Sequence, residues 1–158
     1  MKILKKILVA LLIIFIGMQF YRPEKNTTED KDHAKNFLAD THPPQNVKLL
    51  LEQTCYDCHS NQTVYPWYNN IAPVSYWLAD HVKDGKKHLN FSDWDTYPIK
   101  RKDHKLDEVI EMVEDKEMPL NEYTWTHEEA NLSQEEREAI ISWAKKTRED
   151  YQSKMPQE

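Results

Sequence analysis

The stretch Cys55-Tyr56-Asp57-Cys58-His59 decides how the rest of this 158-residue chain is interpreted. Its two cysteines are the only ones in the chain, and a histidine directly follows the second. In a helical turn, side chains at positions i and i+3 lie on the same side of the axis. The spacing therefore presents two thiols side by side, followed at once by an imidazole.

This arrangement is the haem attachment signature C-x-x-C-H. Each thiol can add to one vinyl group on the same edge of a haem, and the imidazole that follows can bind the iron from the proximal side. We therefore predict one covalently attached haem c. Cys55, Cys58 and His59 are the predicted cofactor-binding residues, and His59 is also the predicted iron ligand.

Three other chemistries share part of this pattern. A thioredoxin-like redox pair also uses C-x-x-C, but the surrounding βαβ pattern is missing from this sequence. A zinc site would combine Cys55, Cys58 and His59 with a distant histidine, yet no second C-x-x-C or H-x₃-H pair is present. A disulfide across two intervening residues would be strained. A metal-binding or redox-thiol module without haem is thus the weaker alternative.

The second axial ligand of the iron is predicted to be Met118. In small c-type cytochromes the distal methionine lies downstream of the attachment site, in a loop just before the last helix, and Met118-Pro119 occupies such a position. His81 is the rival, although a lone histidine on an apolar helix face is more often a hydrogen-bonded core residue. The other histidines have polar neighbours and are predicted to be solvated: His33, His42, His88, His104 and His127.

Four helical patterns and no alternating strand pattern predict an all-α fold. The apolar stripes are Val47, Leu50, Leu51 and Thr54; Val74, Trp77, Leu78, His81 and Val82; Leu106, Val109, Ile110 and Val113; and Ile140, Ile141, Trp143 and Ala144. Gly85 is expected to stop the second helix. Ser133 and Glu136 form a capping box that is expected to begin the fourth. The aromatic stretches 65–68 and 90–94 are expected to be loops.

The N-terminus has the order of an export signal. Lys2, Lys5 and Lys6 precede an apolar run over residues 7–18. This run is shorter than the roughly 20 residues of a typical spanning helix. Residues 1–21 are therefore predicted to be a signal anchor, which would form an N-terminal membrane helix, or a cleaved signal peptide.

Three further segments follow this N-terminal signal. Residues 22–44 are predicted to be a polar linker, 45–150 the c-type haem-binding domain and 151–158 a tail. The lysine-rich end is expected to stay cytoplasmic. The haem domain is then expected in the cell envelope, on the periplasmic side of the inner membrane or secreted to the periplasm.

The net negative charge of the chain limits the classes of molecule that it is expected to bind. The net charge is −6, and removing the three N-terminal lysines leaves −9 for residues 7–158. A domain this acidic is a poor candidate for binding nucleic acid or anionic lipid head groups. It suits a redox partner protein with a basic surface.

Longer stretches resemble the bacterial haem-binding domain family, a cytochrome c-like group defined around a C-x-x-C-H site. They are CYDCHSNQTVYPWYNNIAPVSYWLADHV from Cys55, LNFSDW from Leu89 and MPLNEYTWTHEEANLSQEE from Met118. The resemblance implies export, one haem, and a small cytochrome c-like helical domain built around it. The sequence differs from class I cytochromes in one respect. In that class the first and last helices cross where a glycine meets an aromatic residue. Trp143 can supply the aromatic residue here, but the first helix has no glycine.

These expectations favour an electron carrier over an enzyme. A methionine bound opposite the histidine leaves no open position on the iron for a substrate. We therefore expect one-electron transfer in the cell envelope. The alternative is a peroxidase-associated or gas-sensing haem module, in which the sixth ligand is exchangeable.

Overall fold

The computed structural model describes residues 2–156, and all regular secondary structure in this range is helical, as predicted. The α-helices are α1 (Lys2–Met18), α2 (Lys35–Thr41), α3 (Gln45–Thr54), α4 (Tyr56–His59), α5 (Val74–His88), α6 (Ile99–Glu114), α7 (Asn121–Thr124) and α8 (Gln134–Lys154). Three 3₁₀ helices span Trp67–Asn70, Phe91–Thr96 and Glu128–Ala130. Two of them lie in the stretches expected to be aromatic loops.

The core lies between α3, α6 and α8. Helices α6 and α8 pack along each other, and α3 packs against α8. All four stripe residues predicted for α3 are buried, and the stripes of α6 and α8 also face the core. Ser133 and Glu136 form the predicted capping box at the start of α8. The 3.6-residue apolar period therefore identified these three helices correctly.

Residues 22–44 are more than a polar linker, because α2 contributes to the core. Phe37 is fully buried, and its ring centroid lies 4.4 Å from that of Phe91 and 5.1 Å from that of Trp94. Helix α2 has only seven residues, and Phe37 and Leu38 are too few large apolar residues to give a periodic signal. Long-range packing buries it, and the packed domain begins before residue 45.

The expected tail also takes part in the fold. Helix α8 continues through Tyr151 to Lys154, and Tyr151 is buried. The Tyr151 hydroxyl donates a hydrogen bond to Asp40 Oδ2 at 2.6 Å, which joins the last helix to α2. Residues 157–158 of the expected tail lie outside the described residues.

Asp40 of α2 accepts hydrogen bonds from three other helices, and removing its carboxylate is expected to destabilise the fold. Its Oδ2 also accepts hydrogen bonds from Trp94 Nε1 at 3.0 Å and Lys102 Nζ at 2.9 Å. Burial raises the pKa of the Asp40 carboxyl, but the hydrogen bonds from Tyr151, Lys102 and Trp94 outweigh burial and hold the pKa below its usual value. We expect Asp40→Asn to lower the free energy of unfolding at pH 7 by about 1–3 kcal/mol.

The loss of unfolding free energy in Asp40→Asn should become smaller as the pH falls. A carboxyl with a lowered pKa in the folded state stabilises the fold above its unfolded pKa of about 3.9, and this contribution disappears as pH falls through the folded pKa. The difference between Asp40→Asn and the unaltered protein in urea unfolding should therefore shrink at acid pH. The exposed Asp80 provides the control variant Asp80→Asn. A difference equally large at pH 3 would contradict this account.

Helix α1 has exposed apolar side chains and is joined to the domain at its end. Gln19 exchanges two hydrogen bonds with the main chain of Ala72, and the Tyr76 hydroxyl donates to the Met18 carbonyl. Among the helices of residues 2–156, none combines the length and the apolar character needed to cross a membrane. The expected N-terminal membrane helix is therefore not supported, and the signal function of residues 1–21 stays a prediction.

Candidate functional site

The C-x-x-C-H motif forms the junction between α3 and the single-turn helix α4. The Cys55 N–H donates to the Leu51 carbonyl at 3.0 Å, and the His59 N–H donates to the Cys55 carbonyl at 2.9 Å. The second bond closes a helical turn across the motif. Both cysteines are free thiols, half-buried at the surface of the core. The motif therefore has the helical turn that its spacing predicts.

His59 is oriented by a backbone hydrogen bond. Its Nδ1 lies 3.1 Å from the Leu89 carbonyl oxygen, which can only accept, so Nδ1 carries the proton and Nε2 keeps its lone pair. Burial lowers the pKa of His59, although hydrogen bonds to the Leu89 and Gly85 carbonyls oppose this shift. A neutral imidazole with Nδ1–H bound to a carbonyl is the form that binds metals through Nε2.

Helix α5 touches the motif through Gly85. A Cβ atom added to Gly85 would lie 2.6 Å from the Cys58 carbonyl oxygen and 3.0 Å from the Cys58 Cβ. Only a glycine allows the two backbones to approach so closely. The prediction that Gly85 stops its helix is wrong, because α5 continues past it to His88. This glycine serves helix packing beside the motif, and not a C-cap.

The surroundings of the two thiols favour their neutral form. Burial raises the pKa of Cys55 to about 11, against an opposing hydrogen bond from the Thr54 hydroxyl. Burial, and then the Asp57 and Cys55 charges, raise the pKa of Cys58 to about 12. Redox-active and zinc-binding cysteines depend instead on stabilised thiolates. Without a bound metal, the surroundings of the two thiols thus do not favour a redox-active thiolate pair.

A zinc site would also need a converging set of ligands. Within residues 2–156, no three side chains of His, Cys, Asp or Glu come together in a way that would hold a metal ion. The set of Cys55, Cys58, His59 and a distant histidine is therefore not assembled in this part of the chain. The zinc alternative gains no support from the geometry.

An apolar cavity opens beside Cys58. It lies between α5 and two segments, which we call the 63–68 wall and the 120–127 wall, and it is partly open to solvent. The α5 residues on it belong to the predicted apolar stripe: Trp77, Leu78, His81 and Val82. Trp77 remains 43% exposed. Part of this stripe therefore lines an apolar cavity beside the attachment motif.

The predicted site residues are only partly gathered at this cavity. Cys58 lines it, whereas Cys55, His59 and Met118 do not. Met118 is half-buried and stands two residues before Leu120, which belongs to the 120–127 wall. The structure thus places the segment containing Met118 beside the cavity, without its side chain in the lining.

Two histidines do line the cavity. His81 Nδ1 lies 2.8 Å from the Trp77 carbonyl, and His127 Nδ1 lies 3.0 Å from the Tyr123 carbonyl. In both, Nδ1 donates to the carbonyl, because a carbonyl oxygen can only accept. His127 was expected to be solvated, but its ring stacks on Tyr123 with centroids 4.1 Å apart. No helical period in the sequence marks this contact, because α7 ends at Thr124, before His127.

Asp57 is a further site residue that the sequence did not single out. It occupies a variable position of the motif, yet its Oδ1 accepts from the Val64 N–H at 2.8 Å and its Oδ2 from the Tyr123 hydroxyl at 2.9 Å. Burial, together with the Asp57 charge, raises the pKa of Tyr123 well above its usual range, so that the hydroxyl remains a donor. Both partners lie in the cavity walls and are recognised only after folding.

These features fit a haem. Two neutral thiols lie on one helical turn, an imidazole whose Nδ1 is held by the Leu89 carbonyl follows them, and an apolar cavity adjoins Cys58. No curated protein and no solved structure matches the chain. A family model described as "Haem-binding domain" matches residues 13–146, which is most of the sequence. With the motif and a match of this length, the chain belongs to the haem-binding domain family.

Proposed function

We propose that the protein carries one covalently attached c-type haem. The observation that supports this proposal best is the helical turn of the motif beside an apolar cavity, with the His59 Nδ1–H bound to Leu89. The sulfur and hydrogen of each thiol, Cys55 and Cys58, would add across one vinyl group and form a thioether without loss of any atom. A haem held in this way cannot dissociate from the chain.

In this proposal, His59 Nε2 binds the iron and Met118 supplies the second axial ligand. Met118 lies between α6 and α8, directly before the 120–127 wall. Its carbonyl accepts a hydrogen bond from Arg137 Nη1 at 2.9 Å, which anchors this segment to α8. A thioether opposite an imidazole favours ferrous iron and raises the reduction potential.

The proposed activity is one-electron transfer, without catalysis of a substrate reaction. Bound haem supplies an iron that alternates between ferric and ferrous states by gaining or losing one electron. The protein residues hold this iron, exclude water from it and set its potential. The net charge of −9 over residues 7–158 suits a redox partner with a basic surface.

The proposed site of action is the cell envelope. Three lysines followed by an apolar helix, α1, support export of the domain with the lysine-rich end left in the cytoplasm. The haem domain would then act on the periplasmic side of the inner membrane, or free in the periplasm. Fractionation of cells, with intact mass to find the N-terminus, tests this placement.

The proposal of covalent haem has a direct test. Full-length protein is produced together with a haem-attachment system, purified, and examined by intact mass and by the pyridine haemochrome spectrum. We expect a mass equal to the polypeptide plus one haem, and haem that stays with the chain after denaturation. Haem that is absent, or removed by acidic acetone, would contradict the proposal.

Two matched variants distinguish the two candidates for the second iron ligand, Met118 and His81. If Met118 binds the iron, Met118→Ala should abolish the weak oxidised-state absorption band at about 695 nm and lower the midpoint potential, while His81→Ala should change neither. His81 is the informative partner because it lines the cavity. Loss of the low-spin spectrum in His81→Ala alone would instead identify bis-histidine ligation.

One observation favours a second candidate function. Met118 does not line the cavity, so the sixth position of the iron would be exchangeable if this methionine stays away from it. The protein would then be a gas-sensing or peroxidase-associated haem module. Rapid binding of CO to the reduced protein, and of cyanide to the oxidised protein, would support this function over electron transfer.

A further inference from the structure

Asp57 joins the motif to both walls of the cavity. The Val64 N–H and the Thr63 hydroxyl of the 63–68 wall donate to the Asp57 carboxylate and carbonyl, at 2.8 and 2.6 Å. The Tyr123 hydroxyl of the 120–127 wall donates to the other carboxylate oxygen at 2.9 Å. One side chain between Cys55 and Cys58 thus fixes the positions of two segments that are far apart in the sequence.

Tyr123 is itself held firmly. Its N–H donates to the Leu120 carbonyl at 3.0 Å, and its own carbonyl accepts from His127 Nδ1 at 3.0 Å. The His127 ring lies almost parallel to its ring, at an interplanar angle of 11°. Because the phenol ring of Tyr123 is rigidly held, its hydrogen bond to Asp57 fixes the 120–127 wall relative to Asp57 more closely than a flexible side chain would.

The segment that begins at Met118 has two anchors. Arg137 of α8 donates to the Met118 carbonyl at 2.9 Å and to the Val113 carbonyl at 3.2 Å. Tyr123, five residues after Met118, attaches the same segment to α4 through Asp57. The first anchor fixes the segment to the core, and the second sets its distance from the helix that carries His59.

We propose that the Asp57–Tyr123 hydrogen bond is a latch that holds the 120–127 wall, and with it the preceding Met118 segment, against the helix of the attachment motif. Asp57 and Tyr123 are then positioning residues, which act on the second axial position without touching the iron. This inference rests on the proposed haem function. It adds that access to the sixth coordination position is controlled from within the attachment motif.

The test uses the holoprotein and the variant Tyr123→Phe, which removes only the hydroxyl. We expect unchanged covalent haem content and helical circular dichroism. CO should bind to the reduced variant about five- to tenfold faster, the factor that corresponds to one lost hydrogen bond. The absorption band assigned to methionine ligation should weaken, and the midpoint potential should fall.

Tyr68→Phe is the matched control. The Tyr68 hydroxyl bonds to Thr126 Oγ1 at 2.8 Å and so also joins the two walls, but this contact is exposed and does not involve the motif. Because Tyr68 also lies in a cavity wall, we expect only a small change of CO binding in Tyr68→Phe, well below that of Tyr123→Phe. A change equal to that of Tyr123→Phe would overturn the latch, because any link between the walls would then suffice.

A second pair of variants keeps the inference testable if Tyr123→Phe does not fold. Asp57→Ala should accelerate CO binding, and the double variant with Tyr123→Phe should be no faster than Asp57→Ala alone, because the two groups act through one bond. Additive effects would overturn the latch. Holoprotein whose variants bind CO at the unaltered rate would overturn the latch alone, whereas absence of covalent haem from the unaltered protein overturns the proposed function and the latch with it.

Discussion

Replacing both Cys55 and Cys58 with alanine is expected to remove all covalently bound haem from the protein. The two residues are the only cysteines of the chain, so no other thiol can form a thioether in their place. Haem staining after denaturing electrophoresis and intact mass would both report the loss. Any haem that the variant retains by coordination through His59 should leave the polypeptide under denaturing conditions.

Single variants give the internal control for this experiment. Cys55→Ala and Cys58→Ala each retain one thiol, and we expect one thioether with a red-shifted reduced absorption spectrum, because one vinyl group remains unsaturated. His104→Ala, at a side chain that is 66% exposed, controls for handling of the protein. Covalent haem in the double variant would show that attachment uses a different chemistry.

Gly85→Ala is expected to destabilise the protein, although alanine is the better helix former. In an exposed helix interior the exchange of glycine for alanine stabilises by about 1 kcal/mol. Here the new methyl group would meet the Cys58 carbonyl oxygen at 2.6 Å, and that oxygen belongs to the backbone and cannot rotate away. We expect a net loss of about 1–3 kcal/mol in the free energy of unfolding, together with poorer haem attachment, because α5 must move away from the motif.

Gly17→Ala is the matched control for this prediction. Gly17 also lies in a helix, but apart from its own helix backbone nothing lies within 4 Å of the position that its Cβ would occupy. Urea unfolding followed by circular dichroism should show Gly17→Ala unchanged or slightly more stable. A Gly85→Ala variant as stable as the unaltered protein would mean that α4 and α5 do not approach as closely as described.

The helices of the core were predictable because their signals are local. The stripe of α3 and the Ser133–Glu136 capping box each use residues three or four positions apart, which is the period of one helical turn. The 55–59 motif is local in the same sense, and its thiol and imidazole chemistry is set by residue type. The family match then supports the haem that this spacing indicates.

Contacts that join distant segments were not predictable from these patterns. Phe37 and Tyr151 fall in stretches expected to be a linker and a tail, yet both are buried. Each lies in a mostly polar stretch, and the apolar surface that covers it comes from other helices. The same reasoning applies to Asp57, whose partner Tyr123 is 66 residues away.

The sequence by itself determined the helical class of the protein and the chemistry available at Cys55, Cys58 and His59, because both depend on residues that are neighbours in the chain. The tertiary structure alone decided that Gly85 lies against Cys58 and that part of the α5 stripe lines a cavity. These features arise from the packing of separate helices. Packing depends on shapes that meet only when the whole domain has folded.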